Sequence, residues 1–410
     1  MRQWSGLGAG AGPGAGTEAF FAGDDRPSSM TEPRLPVGLR ITRRQRSWIS
    51  VKRAVLRALR GPAFALNLGL AARDELQARR GRSCRPRRAC GLPPGERVLV
   101  LAPHPDDECI MCGATLAAGR RRGDAVRVVA VTSGTATRQG LRGGDVGARR
   151  RGELSHAAAA LGVDDVAFWE LPDGGLAAAR AELAERIGAE LAEYAPTDVY
   201  VPFPNDVHDD HVATALALGD ALRRRAGGRT TSGRTGRRTT NERTGGPAGG
   251  PWIHGGFVSA APDPWWVDRV VPSERVDWRA KLRAVRAYRS RDASSFVKPL
   301  QLALFAPGNL LRPAEQFVDL RASAFVSLCQ ALADGGLTRP TGAVVNHPLF
   351  AVLERARNTA QRRQIAALLT GATENAPRAG RRAAPASESS AIAMTTDISL
   401  PRAETRRPAT

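Results

Sequence analysis

The chain has 410 residues, 42% hydrophobic and 24% charged, a balance that fits a globular protein of one large domain or two ordinary ones. No apolar run approaches the ~18 residues needed to span a bilayer, five cysteines cannot build a disulfide scaffold, and the Gly-rich N-terminus lacks the apolar core of a secretory signal. The formal charge of +20 is local: residues 34–90 hold sixteen Lys/Arg against Asp74 and Glu75, and residues 223–250 hold eight Arg against Glu242. Almost all of it is arginine in flanking and inserted sequence, which argues against a folded nucleic-acid face, so no specific nucleic acid is expected. The expected compartment is reducing and cytoplasmic.

In chain order, residues 1–33 are low-complexity and expected to be disordered, with Met30 an alternative start. Residues 34–94 form a basic segment. Within it, 47–78 alternates apolar and basic positions and predicts one or two amphipathic helices interrupted near Gly61-Pro62. Such helices suit packing on the body or peripheral contact with an anionic membrane. An Arg/Pro/Gly linker follows at 79–95.

The body spans 95–320. Residues 97–103 (RVLVLAP) read as a buried parallel strand, 112–123 as a helix closed by Gly123, and 125–134 as a second strand. Residues 148–162 predict a helix, 166–171 a third strand, 176–194 a long helix, 198–204 a fourth strand and 209–222 another helix. This alternation predicts a single α/β catalytic domain: a Rossmann-like, mainly parallel sheet with helices on both faces and disordered termini. Residues 223–250 read as a disordered Arg/Gly insertion. A strand is expected at 252–262, then helical pattern at 277–291 and 313–370. Residues 321–371 thus make a helical extension and 372–410 a disordered tail.

Open parallel sheets bind ligands beyond the carboxyl ends of their strands. The first strand ends in His104-Pro105-Asp106-Asp107-Glu108, and the fourth in Asn205-Asp206-Val207-His208-Asp209-Asp210-His211. Thr132-Ser133-Gly134 and Pro172-Asp173-Gly174 line the same crevice. Imidazole and carboxylate donors suit Zn2+ or a similar divalent ion such as Fe2+. A catalytic zinc keeps three protein ligands and an open position, and His104, Asp107 and His211 can supply the three. Asp106 is then free to act as general base. His208 could protonate a leaving group or stabilise an oxyanion, and Asp210 could orient a histidine. Helix N-capping explains one Asp per loop and leaves the other acids and the three histidines unexplained.

These residues carry a resemblance. Pro-His-Pro-Asp-Asp-Glu after one strand and His-x-Asp-His after a later one resemble the LmbE-like, or PIG-L, family of metal-dependent N-acetylglucosamine de-N-acetylases. Supporting positions over about 95–320 are Cys112-Gly113, Arg150-x-x-Glu153, Leu161-Gly162-Val163, Leu171-Pro172-Asp173-Gly174, Lys281, Tyr288-x-Ser290 and Glu315-x-Phe317. The resemblance implies zinc on His104, Asp107 and His211, Asp106 as base and His208 as electrostatic or acid partner. Where the family often has Pro, this chain has Asp209. The implied reaction is hydrolysis of the acetamide of a GlcNAc-containing small molecule or glycolipid, releasing acetate and a free amino sugar. Two other readings are a catalytically silent sugar- or nucleotide-binding protein on the same fold, and a membrane-associated protein acting through its Arg-rich segments.

Lesser candidates are expected to be structural. Cys109-x-x-Cys112 has redox spacing but suits small buried positions. Cys84 and Cys90 lack a nearby His pair. His156, His254 and His347 read as structural or solvated. Trp265 and Trp266 could stack on a sugar or fill the core. Arg150 and Glu153 could pair along a helix or, near the crevice, contact substrate together with Asp173.

Overall fold

A computed structural model describes residues 43–78, 80, 88–89, 96–135, 146–231, 250–259, 262–290, 313–334 and 348–374. Expectations for residues 1–33, Cys84, Cys90, His347 and 375–410 lie outside these. The chain divides into two compact units, Met1–Arg53 and Ala54–Thr410. Of the first, only the opening of helix α1 (Arg43–Gln77) is described. The sheet and the remaining helices belong to the second.

The strands are β1 (Arg88–Ala89), β2 (Arg97–Ala102), β3 (Ala125–Thr132), β4 (Asp165–Leu171), β5 (Asp198–Pro202), β6 (Trp252–Gly256), β7 (Arg269–Pro272) and β8 (Ala314–Arg321). Among the described residues they make one eight-stranded sheet in the order β1-β7-β8-β6-β5-β2-β3-β4. Every pairing is parallel except those of β8, which runs antiparallel to both β6 and β7. The order proceeds outward from β2 through β3 to β4, then returns to the other side with β5. That reversal opens a crevice where the loops after β2 and β5 diverge.

Two-residue periodicity explains why both sheet faces are covered. Leu99, Leu101, Val129, Val131, Val199 and Val201 face one apolar layer, completed by α4 (Arg180–Glu193), α5 (Asp209–Thr231) and α7 (Ala322–Ala333). Ile365 and Leu369 of α8 (Pro348–Glu374) reach the same layer. Val98, Val100, Val126, Val128 and Ala130 face the other. There α2 (Asp107–Arg122), α3 (Val146–Leu161) and α6 (Arg275–Ala287) cover them. Strands buried on both faces read as continuous apolar runs, which made 97–103 and 125–134 recognisable.

Several boundaries differ from the expected ones. α1 runs through Gly61-Pro62 as one helix. A proline inside a helix removes one main-chain bond, yet residues on both sides stay helical, and Ala63, Asn67 and Asp74 are buried. α5 continues to Thr231, so the first nine residues of the expected 223–250 insertion are helical. Residues 314–321 form strand β8 rather than helix. AEQFVDLR alternates half-buried and buried positions at period two only over its first half, which obscures the pattern. β7 and the two-residue β1 were not anticipated.

Helix α2 starts at Asp107, five residues before the expected helix at 112–123, and breaks at Cys112. Cys112 has φ −140° and ψ 15°, outside helical values. The second half therefore begins afresh, and its first amides need acceptors. Glu315 of β8 supplies them, accepting from the Ala114 N–H at 3.0 Å and the Thr115 N–H at 2.7 Å. Lys281 of α6 closes the junction, donating to Glu315 at 2.5 Å and to the Ile110 carbonyl at 2.7 Å.

Candidate metal centre

The crevice is built by the loop 103–106, the first turn of α2, the loop after β4, the loop 203–208 and the first turn of α5. Asp107 stands at its centre. Its Oδ2 lies 3.1 Å from His104 Nδ1 and 3.2 Å from His211 Nε2, and accepts the His104 main-chain N–H at 2.8 Å. The outer nitrogen of each imidazole also faces a carboxylate. His104 Nε2 is 3.1 Å from Asp210 Oδ2 and 3.3 Å from Asp173 Oδ1, and His211 Nδ1 is 3.2 Å from Asp206 Oδ1.

His208 completes the cluster. Its ring meets His104 edge-on at 4.6 Å and stacks on His211 at 4.7 Å. Its main-chain N–H donates to Asp206 Oδ1 at 3.0 Å, and its Nδ1 accepts the Asp210 N–H at 3.3 Å. Accepting at Nδ1 leaves the proton of a neutral ring on Nε2.

Asp106 is wholly buried, with φ 120° and ψ −20°, a backbone conformation that non-glycine residues rarely adopt. Glu108 holds it there: Glu108 Oε2 accepts the Asp106 N–H at 3.0 Å, while Tyr288 donates to Glu108 Oε1 at 2.5 Å.

The electrostatics follow from burial and crowding. Burial pulls the His104 pKa down, but hydrogen bonds to Asp107, Asp173 and Asp210 outweigh it and hold the ring well above its usual value. His211 is likewise opposed by burial, yet the charges of Asp107 and Asp206 raise it to about 9. Burial would raise Asp107, but His211 and His104 hold it well below the usual carboxylate range. His208 moves the other way, down to about 4, because burial and its neighbouring imidazoles all disfavour its charged form. Glu108 is pushed up to about 7, chiefly by burial.

Two sets of donors lie within 4.8 Å of one another: His104 with His208 and His211, and His104 with Asp173 and Asp210. The second set is the poorer cage. Asp210 is already engaged, Oδ2 accepting the Gly174 N–H at 2.7 Å and Oδ1 the Leu176 N–H at 3.1 Å. The first set is the better cage, and Asp107 Oδ2 stands against two of its rings, 3.1 Å from His104 Nδ1 and 3.2 Å from His211 Nε2. Each histidine also has the outer carboxylate that normally orients a metal-binding imidazole. Six carboxyl groups, on Asp106, Asp107, Glu108, Asp173, Asp206 and Asp210, are gathered here with little solvent, an arrangement that favours a cation.

Asp206 was not among the anticipated site residues. Its signal was its place five positions before His211 in a strand-end loop. Arg150 is buried and spans two loops, donating to the Gly134 and Pro105 carbonyls, each at 2.6 Å. A Cβ at Gly134, where φ is +66°, would collide with that guanidinium. Glu153 does not pair with Arg150; it accepts from the Ser290 N–H and hydroxyl and from the Arg289 N–H. Trp266 is buried in the core and Trp265 is half-buried under Arg362, so they do not form an exposed pair for stacking on a sugar. Cys109 and Cys112 are buried, and His156 is exposed.

Residues 99–222 match the family described as PIG-L: GlcNAc-PI de-N-acetylase. Two relatives, from Mycobacterium sp. strains KMS and JLS, are 34% identical over 155 residues, covering 31% of this chain and 50% of theirs. Both are named 1D-myo-inositol 2-acetamido-2-deoxy-alpha-D-glucopyranoside deacetylase. The chain thus spans about half the length of these relatives. Among solved structures, the N,N'-diacetylchitobiose deacetylase from Pyrococcus horikoshii aligns at 22% identity and TM-score 0.44, over 55% of this chain and 84% of that one. The segment that supplies His104, Asp107 and His211 is the one that matches the PIG-L family, residues 99–222.

Proposed function

We propose that the protein is a metal-dependent amide hydrolase, with zinc as its ion, that removes the acetyl group from a GlcNAc-containing glycoside. The observation that carries this is Asp107 Oδ2 standing between His104 Nδ1 and His211 Nε2 at the crevice, with buried Asp106 next to Asp107 in the chain. His104 Nδ1, Asp107 Oδ2 and His211 Nε2 would hold the ion. When bound there, the ion supplies Lewis-acid polarisation of the acetamide carbonyl and acidifies a water. Asp106 accepts the proton of the attacking water as its oxygen bonds to the carbonyl carbon. His208 donates from Nε2–H to the carbonyl oxygen as negative charge develops there. The C–N bond then breaks, and Asp106 returns the proton to the leaving amine, giving acetate and the free amino sugar. Asp210 keeps the His104 ring oriented, Asp173 faces the sugar, and Arg150 serves substrate binding through the two loops it ties together.

The test is metal analysis of the purified chain combined with amine and acetate release from a panel of GlcNAc conjugates, soluble and lipid-linked. About one zinc per chain and release abolished by a chelator are expected. A chain that binds no zinc and releases nothing across the panel overturns the proposal, leaving a silent binding protein.

Among the described residues no helix is long and apolar enough to cross a membrane. Val55, Leu59 and Leu66 of α1 are exposed at spacings that share one side of a helix. With the basic composition of 34–90, this supports peripheral contact with anionic lipid through 47–78. Sedimentation with anionic against neutral vesicles tests it, and equal recovery from both refutes it.

A further inference from the structure

Helix α8 lies outside the family match, yet it touches the loop that carries the site. Arg357 donates from Nη1 to the Asn205 side-chain oxygen at 2.9 Å and from Nη2 to the Asn205 carbonyl at 3.0 Å. One guanidinium fork thereby fixes both the side chain and the following peptide of a single loop residue. The next residue is Asp206, whose Oδ1 faces His211 Nδ1 and accepts the His208 N–H. Asp206 Oδ2 accepts the Ser259 N–H at 3.2 Å from the loop after β6.

The same helix grips that second loop as well. Arg362 donates from Nε to Asp263 Oδ2 at 2.9 Å, and its Nη2 pairs with Asp74 Oδ2 of α1 at 2.8 Å. Arg355 donates to Asn67 Oδ1 at 2.9 Å. A helix needed only to cover apolar surface could do so with Ile365 and Leu369. Arginines bound to several different elements additionally fix its position along its axis.

We propose that Arg357 is a positioning residue for the metal centre: through Asn205 it sets Asp206 against His211 and His208. The inference rests on the metal-centre reading above.

Zinc affinity of the full chain, measured by competition with a chromophoric chelator, and the visible spectrum of the Co2+-loaded protein test it. Arg357→Ala should weaken zinc binding roughly tenfold, the low end of the range for residues acting on a ligand from outside, and should alter the Co2+ bands. Asn205→Ala should do the same, and the double variant should be no worse than either single one. Arg357→Lys should restore the effect only in part, because an ammonium offers no fork. Arg363→Ala, solvent-exposed on the same helix, should match wild type. Unchanged affinity and Co2+ bands in Arg357→Ala, even with a lower unfolding midpoint, overturn the inference and leave a purely structural contact. Additive losses in the double variant overturn it too. Should Arg357→Ala fail to fold, Asn205→Ala and Arg357→Lys decide. A wild-type chain that binds no zinc instead removes the metal-centre reading beneath it.

Discussion

Among the described residues two buried clusters place a histidine between carboxylates, and one of them has the makings of a reactive site. In the sheet, His254 of β6 meets Asp198 of β5 and Asp319 of β8, each at 2.7 Å. Arg269 of β7 donates to Asp319 at 3.1 Å and to the Tyr200 hydroxyl at 3.0 Å. Two carboxylates there face one imidazole and one guanidinium, so the cluster closes on itself. At the crevice, four carboxylates, those of Asp107, Asp173, Asp206 and Asp210, face two imidazoles, and one carboxylate oxygen stands between two rings. His–Asp proximity is common to both; the surplus of buried negative charge and the strand-end position belong to one. A closed cluster supports the fold, whereas one with surplus charge can hold a cation.

The contrast can be broken at either end. The largest expected effect is on turnover. Asp106→Asn keeps the shape but removes the proton acceptor, and should lower acetate release by roughly 10²–10⁴-fold with zinc retained. Near-normal turnover with full zinc would move the base role to Glu108 or Asp210.

Removing a ligand should separate metal from fold. His104→Ala, Asp107→Ala and His211→Ala should each lose most of their zinc, seen by metal analysis after dialysis. A chelator should lower the unfolding midpoint of wild type and leave these variants unmoved, because only a ligand that binds the folded state shifts it. His254→Ala should do the reverse, keeping zinc while losing about 3–5 kcal/mol of stability in urea unfolding, the cost of opening a buried charged pair. Zinc loss in His254→Ala at full stability would erase the distinction.

Orientation effects should be smaller. Asp210→Asn removes the carboxylate facing His104 Nε2 and should weaken zinc binding about 10–100-fold in the chelator competition. Unchanged binding would mean that the Gly174 and Leu176 amides are its whole purpose.

The smallest effect concerns pH. Burial and Arg269 push the His254 pKa down, but Asp319 and Asp198 prevail and leave it raised. A raised folded-state value means the folded protein binds this proton more tightly. The resulting stability is full below about pH 6.5, the unfolded value, and is lost as pH rises through the folded one. The urea-midpoint gap between wild type and His254→Gln should therefore narrow from pH 6 towards pH 9. A constant gap would show that His254 does not titrate in this range.

The parallel half of the sheet was legible because strands buried on both faces carry apolar runs, as in Val98–Leu101 and Val128–Val131. The reversed strand was not: AEQFVDLR mixes helix-forming residues with buried Glu315 and Asp319, whose partners lie 34 to 201 positions away. At the crevice, the residue types in the two strand-end loops pointed to a metal centre, since few other needs put three histidines and several acids at adjacent strand ends. Asp206, Glu108 and Arg357 were harder to find. Each acts through a neighbour's geometry, and such a role leaves no pattern along the chain.

The break in α2 has a consequence for how the protein is made. The amides of Ala114 and Thr115 are satisfied by a carboxylate 201 and 200 positions downstream. Translation proceeds from the N-terminus, so the helix that begins with Asp107 must wait, incompletely bonded, until β8 has left the ribosome. Contacts of such long sequence separation slow folding, because the chain loses entropy before they form. A nascent chain stalled near residue 222, at the end of the family match, should therefore resemble a collapsed intermediate, with slow amide exchange in β2 and β3 and fast exchange at Ala114 and Thr115.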